Sequence, residues 1–133
     1  MTIVVGYIPS PEGETALTQA ITEAANRKAS LVVVNSSKGD TPIDDHLIDA
    51  REYHQLEERL TQAGITFRII RTPQGADPAD EILNAARAQS AELIVIGLRK
   101  RTPMGKFIMG STAQRVILQA GCPVLSLKAD DGW

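Results

Sequence analysis

From Gly97 to Thr112 the chain reads Gly-Leu-Arg-Lys-Arg-Thr-Pro-Met-Gly-Lys-Phe-Ile-Met-Gly-Ser-Thr and runs straight into a segment of helical period. Such a run could cradle phosphate. The start of a helix offers free backbone N–H groups and the positive end of the helix dipole, and a glycine at Gly110 lets an anion approach the backbone. Ser111 and Thr112 add hydroxyl donors. Arg99, Lys100, Arg101 and Lys106 add counter-charge. The same residues also suit a plain Gly-Ser turn and helix cap beside a solvated basic loop, and the local pattern alone does not choose between the two readings.

Other chemistry-bearing residues point to structure instead. His46 and His54 lie eight apart, without the i, i+4 spacing of a helical metal pair and without a nearby third ligand, so no metal site is expected. Asp44, Asp45, Asp49 and Glu52 gather in the expected first turns of one helix, where negative charge complements the dipole. Cys122 precedes a proline and has no basic neighbour in sequence to lower its pKa. It reads as a small buried hydrophobe.

The elements that must position these residues are legible from period. Unbroken β-branched runs at Ile3–Val5, Leu31–Val34 and Leu93–Ile96 suit strands covered on both faces. Thr66 to Thr72 and Pro123 to Lys128 mix apolar and polar residues and read as edge or near-edge strands. Helical stripes fall between them. One opens at Ser10-Pro11 and carries Ala16, Leu17, Ala20, Ile21 and Ala24. A second runs from about Ile43 to Ala63, with Leu47, Ala50, Tyr53, Leu56 and Leu60 on one face, and stops at Gly64. Asp77-Pro78 opens a third, with Ile82, Leu83, Ala85 and Ala86. Ser111 opens a fourth, with Val116, Ile117 and Ala120 before Gly121. Strict β-α alternation implies a parallel open sheet with helices on both faces, and ligands bind such sheets outside the carboxyl ends of the strands where strand order reverses.

Composition narrows the function classes. With 133 residues, 43% hydrophobic and 23% charged, one globular domain is expected: residues 1–128, followed by a short polar tail over 129–133. A formal net charge of -2 supplies no global field towards nucleic acid or anionic lipid. The longest apolar runs fall far short of the roughly 20 residues that cross a bilayer, so no membrane span is expected. One cysteine and no basic-then-apolar leader point to the reducing cytoplasm.

The Gly97 to Thr112 run resembles the phosphate turn of the universal stress protein family, G-x2-G-x9-G-[ST]. Gly97, Gly110 and Ser111 match, and Lys100 stands in place of the middle glycine. The resemblance spans nearly the whole chain: Ser10-Pro11-Glu12 to Ala16-Leu17 looks like the family's first helix, Gly75 to Ile82 like its third-helix entry, and Cys122-Pro123-Val124-Leu125 like its closing strand. It implies an α/β fold: a single-domain, Rossmann-like open sheet of five mostly parallel strands in the order 3-2-1-4-5, with four helices on both faces. It also implies ATP or AMP as ligand, with Mg2+ accompanying ATP.

By the same resemblance the nucleotide contacts are Tyr7, Ile8, Pro9, Asn35, Ser36, Gly97, Leu98, Arg99, Lys100, Gly110, Ser111 and Thr112, with Asn35 and Ser36 beside the adenine. Family members usually carry an Asp after the first strand, near the ribose or base. Ile8 stands there, leaving Tyr7, Ser10 or the backbone in that role, or the phosphates to hold the ligand. The resemblance further implies a homodimer through Pro123 to Lys128. The function expected is a nucleotide-responsive stress regulator. Two rivals stay open: a slow ATPase or phosphotransferase, for which the turn supplies no residue that positions water and no magnesium carboxylates, and a ligand-free dimerisation module. A receiver-type signalling domain shares the alternation but needs an acidic cluster after the first strand, and none is there.

Overall fold

Three apolar runs and two mixed segments become five parallel strands in the protein's structure, a computed structural model that describes residues 1–37, 47–98 and 109–129. In chain order the elements are β1 (Thr2–Gly6), α1 (Pro11–Arg27), β2 (Ser30–Asn35), α2 (Ala50–Gln62), β3 (Phe67–Arg71), α3 (Pro78–Ala88), β4 (Leu93–Leu98), α4 (Ser111–Gln119) and β5 (Val124–Lys128). The strands lie in the order β3-β2-β1-β4-β5, every pair parallel, with Val4 opposite Val32 on one side and Ile94 on the other. β1, β2 and β4 are buried almost throughout, whereas β3 and β5 are half-exposed edges, as their mixed composition predicts.

Because strand side chains alternate between faces, the sheet sorts its residues into two cores. Ile3, Val5, Leu31, Val33, Leu93 and Val95 pack against Ala16, Leu17, Ala20 and Ala24 of α1 and Leu56 and Leu60 of α2. Val4, Val32, Val34, Ile94, Ile96 and Leu98 pack against Ala79, Ile82 and Ala86 of α3 and Ala113 and Val116 of α4. Each face therefore carries two of the described helices. Among the described residues, no helix is long and apolar enough to cross a membrane.

The helix ends follow their cap residues. Ser10 caps α1 through Gly13 N at 3.0 Å, with Pro11 in the first turn, and Asp77 caps α3 through Ala79 N at 3.0 Å, with Pro78 behind it. Gly64, at φ +74°, ends α2 in the left-handed conformation that glycine adopts without strain.

Some boundaries move. α2 begins at Ala50 rather than near Ile43, because Asp49 and Glu52 form a reciprocal capping box. Leu47 and Ile48 precede the helix and Ala50 is exposed, so neither Leu47 nor Ala50 belongs to its buried stripe. Asp44, Asp45 and His46 lie outside the described residues. β4 continues past Ile96 through Gly97 and Leu98, which pair with Leu127 and Lys128. In α4, Gly110 is the N-cap and Ser111 the first helical residue, Ile117 is an exposed side chain, and Ala120 is the C-cap. Ala129, placed in the polar tail by sequence, is buried.

Candidate functional site

Parallel strands put all their carboxyl ends on one edge of the sheet, and the order reverses between β1 and β4. The crevice there is the expected ligand position. It is bordered by the segment after β1, the first turn of α1, the end of β2 and the N-terminus of α4.

The α4 end differs from the other three. α1, α2 and α3 each start with a side-chain cap, from Ser10, Asp49 and Asp77, and each has acidic residues in the first turn. α4 starts at Gly110 with no side-chain cap among the described residues and no acidic first-turn residue. Its first N–H groups and dipole are left for an external anion or water. Ser111 is exposed and Thr112 half-buried at this end. Gly110 has φ -70° and ψ 159°, ordinary extended backbone, so glycine here gives access rather than conformation.

Gly97 has a different task. A Cβ there would fall inside the van der Waals shell of the Glu12 carbonyl in α1. The missing side chain lets the first turn of α1 close against the end of β4. Gly13 shows the same device one layer away, since its Cβ would strike the Ile8 carbonyl, which also accepts from Ser10 N at 2.8 Å. Ile8 is half-exposed and Pro9 exposed at the mouth of the crevice. Leu98 is buried beneath α3 and α4. Arg99 and Lys100 of the expected contacts, with Arg101 and Lys106, fall outside the described residues.

Tyr7 is fully engaged within the fold. Its hydroxyl donates to Glu14 Oε1 at 2.6 Å, its N–H to Val34 O, and its carbonyl accepts from Asn35 Nδ2 at 3.0 Å. Glu14 in turn accepts from Arg59 Nη1 at 2.6 Å, while Arg59 Nη2 donates to Thr18 Oγ1. This ties β1, α1 and α2 together. Burial first, and then the hydrogen bond to the Glu14 carboxylate, push the Tyr7 hydroxyl well above its ordinary range. Burial alone would raise Glu14 too, but the hydrogen bonds from Tyr7 and Arg59 outweigh it and hold the carboxyl below the usual range.

Asn35, expected beside the adenine, is wholly buried and spends its amide on two segments: Nδ2 on Tyr7 O, and Oδ1 on Ile48 N at 2.9 Å. Its carbonyl accepts from Thr72 N at 3.1 Å. Ser36 Oγ reaches Ala76 O at 3.5 Å, and Ser37 O accepts from Gly75 N at 3.2 Å. The loop over residues 72–76 thus lies along the end of β2. These two residues build the wall of the crevice on that side. The sequence signals neither the Asn35 bridge nor Gly13, except that glycine within a helical period is itself a flag.

The comparisons settle the family. The model of the universal stress protein family matches residues 1–128. The chain belongs to that family. A universal stress protein of Mycolicibacterium smegmatis is 42% identical over 126 residues, which cover 95% of this chain and 96% of the relative. The structure of the universal stress protein from Archaeoglobus fulgidus superposes with a TM-score of 0.77 at 36% identity, covering 96% of this chain and 98% of that one. A universal stress protein structure from Archaeoglobus fulgidus in complex with dAMP matches with a TM-score of 0.64 at 26% identity, covering 96% and 98%. Against these relatives, the five-stranded parallel order 3-2-1-4-5 is the universal stress protein fold. Among the described residues, no group of three or more His, Cys, Asp or Glu is placed to hold a metal ion.

Proposed function

We propose that this universal stress protein is a nucleotide-binding regulator that takes an adenine nucleotide, AMP or ATP, in the crevice between the ends of β1 and β4 and acts as a homodimer through β5. The observation that carries this reading is the bare start of α4. Alone among the four described helices it has neither a capping side chain nor a first-turn acid, and it opens at the carboxyl edge beside the strand-order reversal. A phosphate seated there accepts the free N–H groups and meets the positive end of the dipole. Ser111 and Thr112 supply hydroxyls, and Lys100 with its arginine neighbours supplies charge to the outer phosphates. The adenine lies towards Asn35 and Ser36, with Ile8 and Pro9 at the mouth. The dAMP complex of a relative supports an AMP-type ligand.

The route to regulation is short. Ala113 and Val116 of α4 share a core with Val124 of β5, so an anion that stiffens the start of α4 also bears on the open edge through which two copies pair. Mass spectrometry of the denatured, purified protein tests the ligand: an adenine nucleotide is expected to accompany the chain in near-stoichiometric amount. Its absence, together with no heat on titration with AMP or ATP, favours a ligand-free dimerisation module.

A further inference from the structure

Among the described residues, Arg115 makes the only side-chain polar contacts of α4. Its guanidinium forks to two carboxylates of α3, with Nη1 2.7 Å from Asp77 Oδ2 and Nη2 2.5 Å from Asp80 Oδ1. Asp77 is shared: its other oxygen accepts Ala79 N at 3.0 Å and caps α3. Immediately before Asp77 comes the loop over residues 72–76, bonded to Asn35, Ser36 and Ser37 through Thr72, Ala76 and Gly75. A continuous polar path therefore leads from one turn inside α4, through Arg115 and Asp77, to the wall at the end of β2.

We propose that Arg115 is a positioning residue for the nucleotide site: by clamping Asp77 and Asp80 it fixes the start of α4 relative to the 72–76 loop, and so sets the spacing between the phosphate and adenine walls. The inference rests on the nucleotide reading above and deepens it. A lone pair of exposed charges contributes little to stability. The value of this one is geometric, because a planar fork fixes two directions at once and one of its acceptors is already held by a helix cap. A binding site whose two walls belong to different elements needs such support to keep the spacing that its ligand requires. Arg115 touches no ligand in this scheme. Its charge is met by Asp77 and Asp80, which leaves the bare helix end above it as the anion site.

The test combines AMP titration by calorimetry with amide hydrogen exchange on the full chain, for wild type, Arg115→Ala, Arg115→Lys, Asp77→Asn and the double variant Arg115→Ala/Asp77→Asn. Asparagine keeps the α3 cap, so Asp77→Asn removes the clamp charge and spares the helix start. Arg115→Ala and Asp77→Asn are each expected to weaken AMP binding about five- to tenfold, the double variant no more than either single one, and Arg115→Lys to recover part of the loss. Exchange should quicken together in the first hydrogen-bonded amides of α4, from Gln114 whose N–H donates to Gly110 O, and in residues 72–76. Tighter AMP binding by Asp77→Asn would mean that a freed Arg115 contacts phosphate directly, and would overturn the positioning role. So would losses that multiply in the double variant, or AMP affinity within about twofold of wild type in Arg115→Ala. If wild type itself binds no AMP, the nucleotide reading falls, and unchanged exchange in Arg115→Ala would then remove the clamp separately.

Discussion

The carbonyl oxygen of Glu12 occupies the space in which a side chain at Gly97 would begin. The first turn of α1 can close on the end of β4 only because that side chain is missing, and this closure forms one border of the crevice. Gly97→Ala is expected to cost about 1–3 kcal/mol, the penalty of forcing an extra carbon into a packed contact whose neighbour is backbone. Gly121→Ala is the control, since a Cβ there meets open space. Thermal melting should separate them, with the Gly97 variant clearly lowered and the Gly121 variant near wild type; equal melting would show that α1 yields without penalty.

Gly13 gives a prediction of inverted sign. Replacing a helical glycine by alanine ordinarily stabilises by about 1 kcal/mol. At Gly13 the added methyl would strike the Ile8 carbonyl, so Gly13→Ala should destabilise instead. Denaturant unfolding reads the sign directly, and a stabilised variant would contradict the tight β1–α1 turn.

How much of this was legible in sequence depends on how local the cause is. β1, β2 and β4 read as strands because both faces are buried, and Ser10-Pro11 and Asp77-Pro78 mark helix starts by their own chemistry. The apolar stripe sets the start of α2 too early because Leu47 and Ala50 continue it backwards, although the Asp49 and Glu52 pair is the stronger signal. Gly97 reads as the first glycine of a phosphate turn at the fourth strand, and in the fold it lies in β4; its packing on α1 is what no local pattern signals. The Asn35 bridge joins residues 28 and 13 positions away, and Arg115 meets Asp77 across 38, spacings that no local pattern encodes.

The Tyr7–Glu14–Arg59 group should shape stability against pH at both extremes. Glu14 titrates lower in the folded state than unfolded, so its stabilisation is present above the ordinary carboxylate pKa of about 4.3 and is lost as pH falls through the folded value. Tyr7 titrates higher when folded, so its stabilisation is complete below about pH 10 and declines above it. Glu14→Gln should flatten the acid arm and Tyr7→Phe the alkaline arm of a stability–pH curve from urea unfolding. Arms as steep as in wild type would show that other groups govern them.

The open edge of β5 carries the proposed homodimer. Leu125 and Leu127 are only half-buried in the single chain, and among the described residues β5 has a partner strand on one side alone. Pairing two such edges would satisfy both. Analytical ultracentrifugation should find a dimer at micromolar concentration and a monomer for Leu125→Asp; a monomer in both would contradict the proposal.

The central claim, that an adenine nucleotide sits with its phosphates on the start of α4, is tested most directly by titrating AMP into wild type and Gly110→Asp by calorimetry. The φ and ψ of Gly110 are ones that aspartate adopts without strain, and an aspartate there would cap α4 and place its own carboxylate where phosphate belongs. The variant should therefore be unchanged or more stable by about 0.5–1 kcal/mol in melting. Its AMP heat should vanish while wild type binds. Equal AMP affinity in the two proteins would contradict the account and move the nucleotide away from α4.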